Sequence, residues 1–189
     1  MFVLDAKTDR LVALALAVLM AATRVHHFGV GTIAPDASTA VFLLAGLLLG
    51  SPYWLLVFMA EATLLDLFAI KMIGVEAVCV TTGYGLMFPA YAMLWLAGRS
   101  QRQAPALDLL TAAKLVGATV AGTAGFFLFS NIGYYIGGGF ADQMGASEYV
   151  TRVVRYFPFY LMVTLVYGAA GVALVALVRR LQPTPVSAR

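Results

Sequence analysis

The stretch that decides the fold is residues 38–70, STAVFLLAGLLLGSPYWLLVFMAEATLLDLFAI, two apolar runs parted only by Gly50, Ser51 and Pro52. So tight a joint between apolar runs predicts a helical hairpin, and the shortness of its first arm, 38–50, implies a tilted or partly covered helix. Working outward, apolar runs between breakers predict further spans near residues 10–30, 78–98, 107–137 and 153–180, beside 38–50 and 52–70. A crossing needs about 20 apolar residues, so six of them with short connections use nearly all of the 189 residues. Composition agrees: 62% of residues are hydrophobic and 11% charged, with a mean hydropathy of +0.90. The expected fold is therefore an all-α integral membrane protein of six transmembrane helices in a single domain, residues 1–189, with 182–189 as a flexible tail. No room is left for a soluble catalytic domain.

The first run, Leu11 to Ala22 after Lys7 and Arg10, also has the look of a secretory leader with a small-residue cleavage site. Against that, the apolar pattern resumes past Arg24 through Val25, Phe28 and Val30, giving a full span. Charge sets the orientation. Lys7 and Arg10 precede the first span, Arg99 and Arg102 separate the fourth from the fifth, and Arg179 and Arg180 close the sixth. The positive-inside rule puts these segments, and both termini, in the cytoplasm. The opposite loops carry Asp36, Glu76, Asp142 and Glu148 against Lys71, Arg152 and Arg155. A net charge of +3 distributed in this way argues against a nucleic-acid partner.

Small residues recur at helical spacing as Ala13, Ala17 and Ala21, and as Ala113, Gly117, Ala121 and Gly125. Such stripes let helices approach closely in lipid, within the bundle or against a partner subunit. Ionisable and reactive residues are costly inside a span and tend to face a cavity. The orientation gathers many of them at the outer face: Arg24, His26 and His27 ending the first span, Asp66 late in the third, and Cys79 opening the fourth with Tyr84 deeper. Asn131, Tyr134 and Tyr135 end the fifth, and Tyr156 and Tyr160 begin the sixth. Glu61 falls near mid-membrane or below, and its reading stays open between helix contact and coupling element. The connection from Gly133 to Ser147 mixes glycine with aromatics, a composition for a mobile cover.

No phosphate loop, HExxH or GxSxG pattern occurs, and the adjacent His26 and His27 point in different helix directions, so an independent metal ion is not expected. With one cysteine in the chain, an intramolecular disulfide is impossible. Beside an imidazole such as His27, Cys79 would exist partly as thiolate, a soft ligand and a strong nucleophile.

The ordered set His27, Asp66, Cys79 and Tyr84 in a six-span chain resembles the BtuM family of cobalamin transporters, which are similar to the substrate-binding S-components of energy-coupling-factor transporters. The resemblance extends over essentially the whole chain. It implies an S-component-like bundle in a bacterial inner membrane that takes up cobalamin or cobinamide as transported substrate. Cys79 would be the cobalt ligand, His27, Asp66 and Tyr84 would shape its surroundings, and Tyr134 and Tyr135 would join the binding basin. It also implies that Ala13, Ala17 and Ala21 dock on a coupling subunit served by separate ATPases. A thiolate at cobalt further implies slow removal of cyanide from cyanocobalamin, with Cys79, His27 and Asp66 as the reactive set. Two other readings stand beside this one: an S-component-like carrier of another vitamin, and a membrane-embedded thiol enzyme with Cys79 as nucleophile, His27 as base and Asp66 orienting it.

The orientation has a direct test. A membrane-impermeant thiol reagent is expected to label Cys79 in intact spheroplasts; labelling only after permeabilisation would reverse the topology.

Overall fold

The computed structural model describes residue 2 and residues 4–24, 34–74, 80–104 and 108–181. His26, His27 and Cys79 lie outside the described residues, as do Val25, Phe28, Val30 and Glu76. Among the described residues the chain is helical throughout, with no strand. In order these are α1 (Ala6–Arg24), α2 (Ser38–Leu48), α3 (Tyr53–Phe68), α4 (Met87–Ser100), α5 (Leu109–Gly137), α6 (Ala146–Val153) and α7 (Phe157–Leu181). A π-helical turn, Ala69–Ile73, prolongs α3, and a 3₁₀ turn, Thr82–Leu86, leads into α4.

The first arm of the hairpin is the centre of the molecule. Every residue of α2 is buried, with α1, α3, α4 and α7 packed around it. Its sequence makes this possible: apart from Ser38 and Thr39 at the start, each side chain is apolar or absent. Glycines set the closeness of the contact with α4. A Cβ on Gly46 would collide with the carbonyl of Trp95, and one on Gly98 with the carbonyl of Leu43. The two backbones therefore touch through a pair of missing side chains. Gly122 repeats the device between α5 and α4, where an added Cβ would lie 2.7 Å from the Ala97 Cβ and 3.3 Å from the Met93 carbonyl.

Charged side chains finish both ends of α2. At its C-terminus the Leu49 carbonyl accepts from Arg99 Nη1 at 2.9 Å and from Arg102 Nη1, and the Gly50 carbonyl accepts from Arg99 Nη1 at 3.0 Å. Cations there satisfy the last carbonyls and oppose the helix dipole. Asp9 on α1 locks the same corner, accepting from the Gly50 N–H at 2.6 Å and from Trp54 Nε1 at 3.1 Å. At the other end, Asp36 Oδ1 accepts from the Ser38 N–H at 2.8 Å. Asp108 caps α5 in the same manner, accepting from the Thr111 N–H at 2.7 Å, and that backbone bond holds its exposed carboxyl below the usual carboxylate range.

Two helical segments, Leu109–Gly137 and Ala146–Val178, are long and apolar enough to cross a membrane. At 29 residues α5 is about 43 Å long. The helices appear in the expected order and close to the expected bounds, with three differences. The span expected at 78–98 becomes an α-helix only at Met87, after a 3₁₀ turn. Gly133 and Gly137, which fell both in the span expected at 107–137 and in the connection read as a mobile cover, belong to α5, where they pack on the 3₁₀ turn: Cβ atoms on Gly83 and Gly137 would strike the Gly133 carbonyl and the Gly83 nitrogen. Where that connection ends, and ahead of the span expected at 153–180, Ala146–Val153 forms a short amphipathic helix, stiffened by Arg152 Nη2 donating to Glu148 Oε1 at 2.6 Å one turn away. The first small-residue stripe is not uniformly open: Ala13 is buried in the bundle, Ala17 half-buried and Ala21 exposed. On α5, Ala113, Gly117 and Ala121 face outward, and Thr119, Gly122 and Phe126 make the packed face. Glu61 on α3 is half-buried.

The glycine contact predicts a sharp dependence on one methyl group. Gly46→Ala and Gly98→Ala should each lower stability by about 1–3 kcal/mol through overpacking. Gly117→Ala, with nothing within 4 Å of the new Cβ, should leave it unchanged. Thermal unfolding of the purified variants in detergent compares them, and equal melting temperatures for all three would remove the glycine contact as a determinant of the fold.

Candidate functional site

The C-terminal ends of α1 and α3 and the N-terminal ends of α2 and α4 converge on one guanidinium. Arg24 in the last turn of α1 and Asp66 on α3 are each 4% exposed, and they pair through two parallel bonds of 2.8 Å, Nε to Oδ1 and Nη2 to Oδ2. Burial makes these charges expensive unless every remaining donor and acceptor is matched, and here they are matched closely. Arg24 Nε also donates to the Ala62 carbonyl at 3.2 Å, and Nη1 donates to Ser38 Oγ at 2.9 Å and to the Tyr91 hydroxyl at 2.8 Å. Asp36 Oδ2 stands 4.0 Å from Nη1. The Tyr84 hydroxyl, carried by the 3₁₀ turn, donates to Asp66 Oδ2 at 2.7 Å. Tyr91 is fixed from behind by stacking on Phe42, with ring centroids 4.1 Å apart and planes 20° apart.

Above this network lies a cavity of about 610 Å³. Arg24, Asp36, Asp66, Tyr84 and Tyr91 form its floor. One wall is the α5 face that carries Phe126, Phe127, Asn131 and Tyr134; the opposite wall is Tyr156, Phe159 and Tyr160 at the head of α7. Phe127 meets both Phe157 and Tyr160 edge-on at 5.5 and 5.8 Å, so the two walls touch along one side.

The roof is α6, which turns Tyr149 into the cavity. Its hydroxyl donates to Asn131 Oδ1 at 3.2 Å, and the Tyr135 hydroxyl donates to the Met144 carbonyl at 3.0 Å. The Tyr149 ring rests on Tyr135 at 4.9 Å and on Phe140 at 5.8 Å. The chain reaches this roof through Gly139, whose φ of 76° is accessible to glycine at little cost.

Of the site residues expected from sequence, Asp66, Tyr84 and Tyr134 line the cavity, as do Asn131, Tyr156 and Tyr160. Tyr135 stands behind Tyr149 and holds the roof. His27 and Cys79 lie outside the described residues. Sequence reasoning missed the coupling of Arg24 to Asp66, although two opposite charges at similar depth in apolar helices are a signal for a pair. It also missed Tyr91, which follows Tyr84 by seven residues, two helical turns. Tyr149 was hidden because its amphipathic helix is only eight residues long, too short to stand out between two spans. Among the described residues no group of three or more His, Cys, Asp and Glu side chains is placed to hold a metal ion. Chemically, the described residues offer aromatic faces and hydroxyls around a fixed ion pair, an arrangement for holding an organic molecule.

Fold and cavity together define a class: a protein whose described residues are helical, two of those helices long and apolar enough to cross a membrane, with an aromatic cavity floored by a buried ion pair. The chain belongs to DUF6580, a family of unknown function, whose profile matches residues 5–185. No curated protein matches it.

Removing one partner of the buried pair should be far worse than removing both. Arg24→Met and Asp66→Leu are each expected to cost about 3–5 kcal/mol, with the double variant recovering most of the loss. Thermal melts of the four proteins give the coupling, and additive losses would show that the two charges do not depend on each other.

Proposed function

We propose that this protein is a six-span membrane carrier of the S-component type that binds a vitamin-sized organic molecule in the cavity beneath α6. The observation that carries the reading is the cavity itself: its volume of about 610 Å³ falls in the range of small-molecule sites, and its lining is aromatic with a few fixed polar groups. The helix order supports the six-span arrangement, with α1 to α5 and α7 as the spans. At 11 residues α2 is about 16 Å long, too short to cross lipid alone, and its complete burial supplies protein in place of lipid around it. Lys7, Arg10, Arg99 and Arg102 lie at the end of the bundle away from the cavity, so the positive-inside rule orients the cavity to the outside.

Two ligand classes fit the carrier reading. Cobalamin or cobinamide, with Cys79 as cobalt ligand, follows from the resemblance carried by His27, Asp66, Cys79 and Tyr84. Cavity-lining Asp66 and Tyr84 support it, and Cys79 precedes cavity-lining Thr81 by two residues. A thiolate that replaces cyanide at cobalt makes a ligand exchange without electron transfer, so bound cyanocobalamin would slowly release cyanide. The cavity volume of about 610 Å³ favours the other class, a smaller vitamin, because such a cavity would admit only an edge of a corrin ring.

Titrating purified protein with cyanocobalamin while recording the visible spectrum separates the two. A spectral change lost in Cys79→Ala supports the corrinoid. An unchanged spectrum, together with binding of a smaller heterocyclic vitamin weakened about ten-fold or more by Tyr160→Ala, supports the second class. If neither binds to folded protein, the carrier reading fails.

A further inference from the structure

One carboxyl of the bundle takes no part in the network around Arg24. Glu61 stands at the middle of α3, roughly 10–12 Å from either end of the helix. Phe58, Ala62 and Asp66 form the buried stripe of α3 and Val57, Leu64 and Phe68 an exposed one, and Glu61 is half-buried at the border between them. Among the described residues nothing donates a hydrogen bond to it and no cation pairs with it; Arg24 acts on it only through space. The elements packed against α3 offer no other partner. The remaining charges of α1 are Lys7, Asp9 and Arg10 in its first turns, and α2 carries no ionisable side chain. On α4, Tyr91 bonds to Arg24 and Arg99 is held at the far end of α2. Tyr84, on the turn before α4, donates to Asp66.

A carboxylate at that depth, open to lipid on one flank and without a partner, is costly, and holding a proton removes the cost. The ionised form becomes tolerable once a cation comes within bonding distance. Arg24 is close to doing so, because its Nε already donates to the carbonyl of Ala62, the next residue in the chain, at 3.2 Å. What keeps it from Glu61 is the bidentate pair with Asp66.

We infer that Glu61 is a proton-binding site that shares Arg24 with Asp66: it holds its proton while Asp66 keeps the guanidinium and gives it up when Asp66 lets the guanidinium go. On release the electron pair of the O–H bond stays with the carboxylate and the proton passes to water. The inference rests on the six-span reading and adds a coupling ion to it. Asp66 lines the cavity, so a ligand that competes for Asp66 expels the proton from Glu61, and by the reciprocity of linkage protons oppose the binding of that ligand.

The test uses the full-length protein in lipid nanodiscs and two carbodiimides, dicyclohexylcarbodiimide, which dissolves in the bilayer, and a water-soluble ethyl dimethylaminopropyl analogue. A carboxylic acid adds across the C=N bond: its proton goes to one nitrogen and its oxygen to the central carbon, and the acyl group then migrates to nitrogen. The protein gains the whole reagent and nothing leaves, so peptide mass spectrometry locates the adduct. The bilayer-soluble reagent is expected to modify Glu61, the water-soluble one at least about ten-fold less, and Glu61→Gln should remove the adduct. In Asp66→Asn the freed guanidinium should pair with Glu61 and lower its labelling at least about ten-fold, whereas Arg24→Met/Asp66→Leu should label like wild type. Absence of an adduct from folded wild-type protein overturns the proton site and leaves the six-span reading intact. Equal labelling by both reagents places Glu61 in water and overturns both. Undiminished labelling of Asp66→Asn overturns the sharing of Arg24, as does an Asp66→Asn protein that fails to fold where Arg24→Met/Asp66→Leu folds.

Discussion

The pairing of Arg24 with Asp66 is the constraint on which the upper half of the molecule depends. Two charges that deep are tolerable only when geometry is close to ideal, and each additional bond recruits another element to hold them. Asp66 and the Ala62 carbonyl bring α3, Ser38 brings α2, Tyr91 brings α4, and Tyr84 brings the 3₁₀ turn before α4. Hydrogen bonds to one ion pair thus fix the relative positions of four helices. They also hold the side chains at the floor of the cavity in one arrangement.

Glycine performs the matching task where no charge is present. The Gly46 and Gly98 contact allows α2 and α4 to approach to backbone distance, and Gly83 with Gly133 and Gly137 does so between the 3₁₀ turn and α5. Polar bonds specify which helices meet, and missing side chains specify how near. The division has a chemical logic, since apolar helices surrounded by apolar matter gain little from hydrophobic association with one another.

Much of this was legible in the sequence, and the failures have distinct physical causes. The hairpin 38–70 announced itself because breakers and length are local properties, and Asp66, Tyr84 and Tyr134 reached the cavity because helix depth follows directly from a span's ends. Tyr135 stands behind the lining because its hydroxyl bonds to the Met144 carbonyl and its ring packs on Tyr149, contacts with a segment whose fold the sequence did not reveal. Gly133 and Gly137 fell both in the span expected at 107–137 and in the connection read as a cover, because glycine serves loops and close packing alike, and only the partner, Gly83, tells the two apart. Helix α6 escaped because its eight residues are too few for a periodic signal and its stability comes from Tyr149, Asn131 and Tyr135 across the cavity. Arg24 was placed at the right end of its helix, but its pairing with Asp66 stayed hidden because the partner is 42 residues away in the chain.

The complete burial of α2 has a consequence for how the chain assembles. It is made early, directly after α1 and ahead of every later helix, yet α4 and α7 supply much of its covering. Until α7 has emerged, more than 100 residues further along, part of its apolar surface has no native neighbour. The order of synthesis and the order of closure are therefore opposed: the oldest part of the core is sealed by the youngest helix. Such a chain is vulnerable to aggregation for nearly the whole of its synthesis, and a C-terminal truncation that leaves α1 to α5 intact would still leave α2 uncovered along its α7 face.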